Sequence, residues 1–216
     1  MTVDRRLLLL TLAGGAGGLL AIRNLTAQPL EPRRAARADL YNCEGCEAVG
    51  ERPKTARAAT VQLAGPDEPG ERMILTGRVL AADGKTPAAR VVIYAHHTNH
   101  TGLYANGSDE TTWSRRHGRL RGWAVTGADG RYTFRTIKPA IYPDRSMPAH
   151  VHLFVGEPGR RPYYIDDVVF DDEFGVTPAY RKGCELRGGS GIIKLSRTSE
   201  GALLAQRDIR LEPHPA

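Results

Sequence analysis

Cysteine is scarce in this 216-residue chain, which has only Cys43, Cys46 and Cys184. Three cysteines exclude a disulfide-dense scaffold. A single "CEGC" pair with no second pair falls short of a four-ligand zinc site. Long apolar runs are lacking as well. The uncharged run near the N-terminus is sixteen residues, Leu7 to Ile22, and glycine dilutes it, whereas a spanning helix takes about 20 apolar residues. The net charge of +6 comes with scattered arginines and no nucleic-acid motif, so nucleic acid is not an expected partner. No internal repeat is present. The carboxylates of "DDVVFDDEF" (Asp166, Asp167, Asp171, Asp172, Glu173) match no calcium loop and read as a solvated strand end.

The N-terminus is informative. Arg5 and Arg6 precede the short uncharged run, which is the pattern of a twin-arginine export signal over residues 1–27. Its partner is the twin-arginine export machinery, and the expected location is periplasmic or extracellular. Retention of the signal as an N-terminal membrane anchor is the alternative. Residues 28–70 show little periodicity and read as an extended arm. In an exported chain the simplest use of its C-x-x-C is a local Cys43–Cys46 disulfide. Pairing of either cysteine with Cys184 is the other option.

Regular alternation begins at Arg72. "RMILTGRVLAA", "ARVVIYAHH", "RLRGWAVT", "RYTFRTI", "AHVHLFV", "PYYIDDVVF", "SGIIKLSRT" and "ALLAQRDIRL" read as short strands separated by turns such as "DGKTP", "GADG" and "SEG". "GADG" is expected to close a β-hairpin. "TPAYRKGCELRG" reads as a short helix or irregular. The fold class is all-β: a β-sandwich of about seven or eight strands with long loops, over residues 71–216.

Candidate chemistry gathers around "MPAHVHLFV". On a strand His150 and His152 share a face, with Val151 opposite. Tyr142 precedes them between Pro139 and Pro143, which restrict the backbone there. Tyr104 lies in the glycine-flanked "HTGLYANG" loop. Phenolate is a hard anionic donor and imidazole is intermediate, so this set suits iron. A cation also holds tyrosine ionised below its free pKa. "HHTNH" (His96, His97, His100) is a second candidate, a loop zinc or copper site, or for His97 and His100 a pocket lining. Tyr94, Tyr132, Tyr163 and Tyr164 read as core or rim residues.

"LTGRVLAADGKTP", "GLY", "LRGWAVTGADGRYTFRTIKPAIYP" and "PAHVH" together resemble the intradiol ring-cleavage dioxygenases, over about residues 72–156. The resemblance implies a β-sandwich and one Fe(III) per chain, held by Tyr104, Tyr142, His150 and His152. It implies a catechol-type substrate and O2, with cleavage between the two hydroxylated carbons to a muconate-type diacid, and often a homo-oligomer. By the same resemblance Tyr104 is the ligand displaced by substrate. Departures are present. Met147 stands where the family commonly has a substrate-orienting arginine, and Arg145 is two residues away. With Gly102 these are the candidate substrate contacts. Two other readings fit the sequence: a metal-free, exported transthyretin-like binding module, and an iron protein of this fold that has lost ring cleavage.

Overall fold

The computed structural model describes residues 34–108 and 110–216; the export-signal reading lies outside them. Strands form where apolar residues alternate. In "RMILTGRVL" (β2, Arg72–Leu80) Met73, Leu75 and Val79 are buried, while Arg78 is exposed. The other strands are β1 (Thr60–Gln62), β3 (Val92–His97), β4 (Arg121–Val125), β5 (Arg131–Ile137), β6 (His150–Gly156), β7 (Tyr163–Phe170), β8 (Ile192–Ile193), β9 (Ser196–Arg197), β10 (Leu203–Gln206) and β11 (Ile209–Arg210).

They form an all-β sandwich of two mixed sheets. One has the order β1-β5-β2-β10-β9, with β11 also along β2. The other has the order β4-β3-β6-β7-β8. One apolar core lies between them. Leu75, Tyr132 and Phe134 enter it from the first sheet, and Ile93, Val151, Leu153 and Ile165 from the second. Burying each such side chain contributes about 1.5–3 kcal/mol. The Tyr132 hydroxyl donates to the Arg207 carbonyl at 2.8 Å, so its polar end is satisfied inside.

One expectation is corrected. β4 and β5 do not pair as a hairpin. β4 pairs with β3 and β5 with β2, so the "GADG" turn crosses from one sheet to the other. Alternation and a glycine turn mark a reversal, but not which sheet the returning strand joins. The described part of the arm packs on the sandwich. Leu40 and Leu63 enter the main core, and β1 runs parallel to β5. A 3-10 helix, Cys46–Glu51, places Cys46 and Ala48 against Tyr94 and Phe154 on the outer face of the second sheet. Trp123 Nε1–H donates to the Ala48 carbonyl at 2.9 Å. Cys43 and Cys46 are disulfide-bonded and Cys184 is free.

Two short helices complete the described residues, α1 (Ser114–His117) and α2 (Pro178–Gly183). Thr177 caps α2 by accepting the Tyr180 N–H, and Pro178 starts it. No helix among the described residues is long and apolar enough to cross a membrane.

Leu40 tests whether the arm belongs to the core. Leu40→Ala should cost about 2–5 kcal/mol, lowering the melting temperature by roughly 5–15 °C. A melting temperature within a degree or so of the parent would mean that the segment is dispensable.

Candidate metal centre

β6 turns His150 and His152 outward and Val151 into the core. Opposite His152, β7 carries one extra residue. Val151 pairs with Val168 and Leu153 with Ile165, which leaves Asp166 and Asp167 facing His152. Such a bulge re-aims a side chain, and here Asp167 Oδ1 accepts from His152 Nδ1–H at 2.9 Å. His150 Nδ1–H donates to the Pro148 carbonyl at 2.7 Å. Carbonyl and carboxylate oxygens only accept, so both Nδ1 atoms carry the proton. Both Nε2 lone pairs therefore point inward, 3.0 Å apart.

The phenols arrive on two loops in backbone contact. Gly102 has φ +80°, and a Cβ there would sit 2.0 Å from the Ile141 carbonyl oxygen. The Ala140 N–H donates to the Asn99 carbonyl at 3.2 Å. This contact sets Tyr104 beside Tyr142, with the hydroxyls 2.8 Å apart. Tyr142 Oη lies 3.2 Å from His150 Nε2, and Tyr104 Oη lies 3.0 Å from His152 Nε2.

Four donor atoms thus close a ring with edges from 2.8 to 3.2 Å. Two phenol protons satisfy at most two of its edges, and with both imidazoles neutral no proton lies between the two Nε2 atoms. A ring of that size leaves each donor about 2 Å from the centre, a metal–ligand distance. A cation would satisfy all four lone-pair donors at once, so the residues fit a metal. Among the described residues, His150, His152 and Asp167 are the one His/Cys/Asp/Glu group close enough to share an ion. Asp167 reaches the centre through His152, the usual way a carboxylate orients an imidazole ligand.

Burial sets the protonation states. It raises the Tyr104 phenol, with the neighbouring Tyr142 adding to the effect, and it raises Tyr142. It lowers His150, which is therefore neutral near pH 7. Burial alone would raise Asp167, but the His152 imidazole beside it holds the carboxyl below its usual range.

The second histidine candidate does not form a site. His96 and His97 lie on β3, not in a loop, and strand parity sends them apart. His97 faces the core, with Nε2 2.7 Å from Thr136 Oγ1, and His100 is exposed. His96 faces outward and stacks between His152, at 4.5 Å, and His117, at 3.8 Å. His117 Nδ1 is 2.9 Å from the Tyr94 hydroxyl. Burial pushes His96 well below its ordinary value and His117 down to about 4. The two form a neutral aromatic wall beside the donor ring, which the sequence reading did not find. Tyr94, Tyr132 and Tyr163 are fully buried, and Tyr164 is partly so.

A cleft of 510 Å³ opens at His152 and Asp167. None of Arg145, Met147 and Gly102 lines it. The Arg145 guanidinium lies over the Phe174 ring, 4.0 Å from its centre, and Gly102 is buried against the Ile141 backbone. Of the acidic run, Asp171 pairs with Arg181 and Glu173 with Lys138 at the surface, as a solvated strand end would. Asp167 departs from that reading because the bulge turns it onto His152.

Since both phenols start protonated, binding a cation must release their protons. Affinity should therefore rise with pH, by up to about a hundredfold per unit near neutrality if both protons leave. Titrating the metal-free protein with Ga(III) or Zn(II) should also bring up the ultraviolet difference bands of ionised tyrosine. Binding that is independent of pH and silent in those bands would remove the phenols from the ligand set.

Comparison with known proteins points to one family. A family model described as "Dioxygenase" matches residues 47–177. Catechol 1,2-dioxygenase 2 of Acinetobacter lwoffii is 32% identical over 142 residues, covering 53% of this chain and 50% of the relative. The protocatechuate 3,4-dioxygenase beta chain of Burkholderia cepacia is 35% identical over 118 residues, covering 53% and 46%. The chain spans about half the length of the curated relatives it matches. The dioxygenase domain of a dioxygenase carbohydrate-binding protein fusion from Streptomyces sp. SirexAA-E shares the fold. Its TM-score is 0.54 at 24% identity, covering 74% of this chain and 92% of that one. A sandwich that carries this donor ring and matches that model over more than half its length belongs to the intradiol ring-cleavage dioxygenase family.

Proposed function

We propose that the protein is an exported Fe(III) dioxygenase that opens a catechol-type ring between its two hydroxylated carbons. The observation that carries this reading is the closed ring of Tyr104 Oη, Tyr142 Oη, His150 Nε2 and His152 Nε2. Two phenolates favour a hard trivalent ion, and imidazole suits iron. Bound there, Fe(III) would supply Lewis acidity and draw electron density from the catechol, exposing the ring to O2.

The chain's own residues supply the rest. The Pro148 carbonyl and Asp167 keep both imidazoles aimed inward. Pro143 follows Tyr142 and restrains its loop. Tyr104 sits on the glycine-flanked loop and is the ligand we assign to give way to substrate. As a phenolate its buried oxygen would be a strong base, so Tyr104 Oη would take up a catechol O–H proton. The His96–His117 wall is uncharged and keeps that side of the site dry. Export is supported by Arg5 and Arg6 and by the Cys43–Cys46 disulfide, a bond that persists in oxidising compartments.

The test is a visible spectrum of the iron-loaded protein with iron quantified, followed by oxygen uptake with catechols. A tyrosinate-to-Fe(III) band at about one iron per chain is expected, with ring-opened product. Tyr142→Phe should lose both colour and turnover. Colour with catechol binding but no product would identify an iron protein that has lost cleavage, a reading that Met147 favours.

A further inference from the structure

We infer that the cleft beside the donor ring takes a catechol bearing a bulky, uncharged substituent and rejects one bearing a carboxylate. This rests on the ring-cleavage reading above and narrows its substrate class. The cleft starts at His152 and Asp167 and runs over the outer face of β6, β7 and β8 to α2. Its 510 Å³ is in the range of pockets that enclose a ligand much larger than one six-membered ring. A bare catechol held at the donor ring would leave most of it filled with water. A substituent directed past His152 would enter that space.

The lining decides the character of that substituent. Phe154, Tyr164, Tyr180 and Ile192 give it apolar surface. No lysine or arginine lines it, while Glu44, Asp166, Asp167 and Glu185 do. The nearby guanidinium groups are already engaged. Arg116 pairs with Glu44, and Arg37 and Arg187 both pair with Glu185. Arg187 is only 1% exposed and stacks on the Tyr164 ring. Arg145 is held over Phe174. A substrate carboxylate would therefore leave water with no free cation to receive it. A cationic tail gains little either, because these acids already have partners. Asp166 accepts the Leu186 and Arg187 N–H groups, and Asp167 accepts from His152. Among the described residues the Tyr180 hydroxyl has no hydrogen-bond partner, so it is free for an ether or hydroxyl on the substituent.

Calorimetric titration of the iron-loaded protein without oxygen separates binding from turnover. The probes are catechol, 4-tert-butylcatechol and 3,4-dihydroxybenzoate. The tert-butyl compound should bind about tenfold tighter than catechol. The benzoate should bind at least about thirtyfold weaker than the tert-butyl compound. Equal affinity for those two would overturn the inference while leaving the ring-cleavage reading intact. In Cys184→Lys, which puts an ammonium group into the cleft, the benzoate should gain about tenfold relative to catechol. No gain would mean that the substituent does not enter this cleft. If none of the three diols binds, the ring-cleavage reading fails, and this inference with it.

Discussion

Two imidazole nitrogens with lone pairs facing each other at 3.0 Å are the constraint on which the rest of the site depends. Left alone they repel. They are held there because each ring has its other nitrogen bound to an oxygen that can only accept, the Pro148 carbonyl for His150 and the Asp167 carboxylate for His152. The first bond is local to β6. The second needs the extra residue in β7, so the orientation of one donor is written into the register of its neighbouring strand. The phenols then close the ring from loops that could not approach if Gly102 carried a side chain.

The centre lies on the outside of the sandwich, yet its groups behave as buried ones. The arm makes this possible. Its 3-10 helix covers the aromatic row of Tyr94 and Phe154, and Glu51 pairs with Arg121 at the edge of that cover. Burial would raise Glu51, but Arg121 and Thr111 hold it below its ordinary range, so this link stays ionised near neutral pH. The disulfide closes a very short loop and so removes little chain entropy. Its effect is local. It holds Gly45, at φ +87°, against the His117 ring, where a Cβ would lie 3.1 Å away.

Much of this could be read from the sequence, for physical reasons. Period-two alternation located each main strand, and it placed His150 and His152 on one face because the pleat leaves no choice. The four ring donors fell together because their chemistry is unusual and their motifs lie close in the chain. What was missed depends on pairing. Leu40 and Leu63 are isolated apolar residues in an arginine- and proline-rich stretch, and only the fold shows that they enter the core. Asp167 looked like its acidic neighbours, because a bulge leaves no mark in composition. His96 and His97 were grouped by adjacency, although adjacency on a strand is what separates them. The β4–β5 turn carries the same residues whether the chain returns to its own sheet or crosses to the other.

The pairing of β2 has a consequence in time. Met73 lies beside Leu203, and Val79 beside Ile209, both in parallel register. Pairings so distant along the chain close slowly. On a growing chain every donor, and Asp167 with them, has been synthesised before β10 and β11 exist to complete the first sheet. The two sheets share one core, so the packing of the second is complete only when the first is whole. The late strands contribute no donor, yet they are the last to join a chain that already carries the whole donor ring.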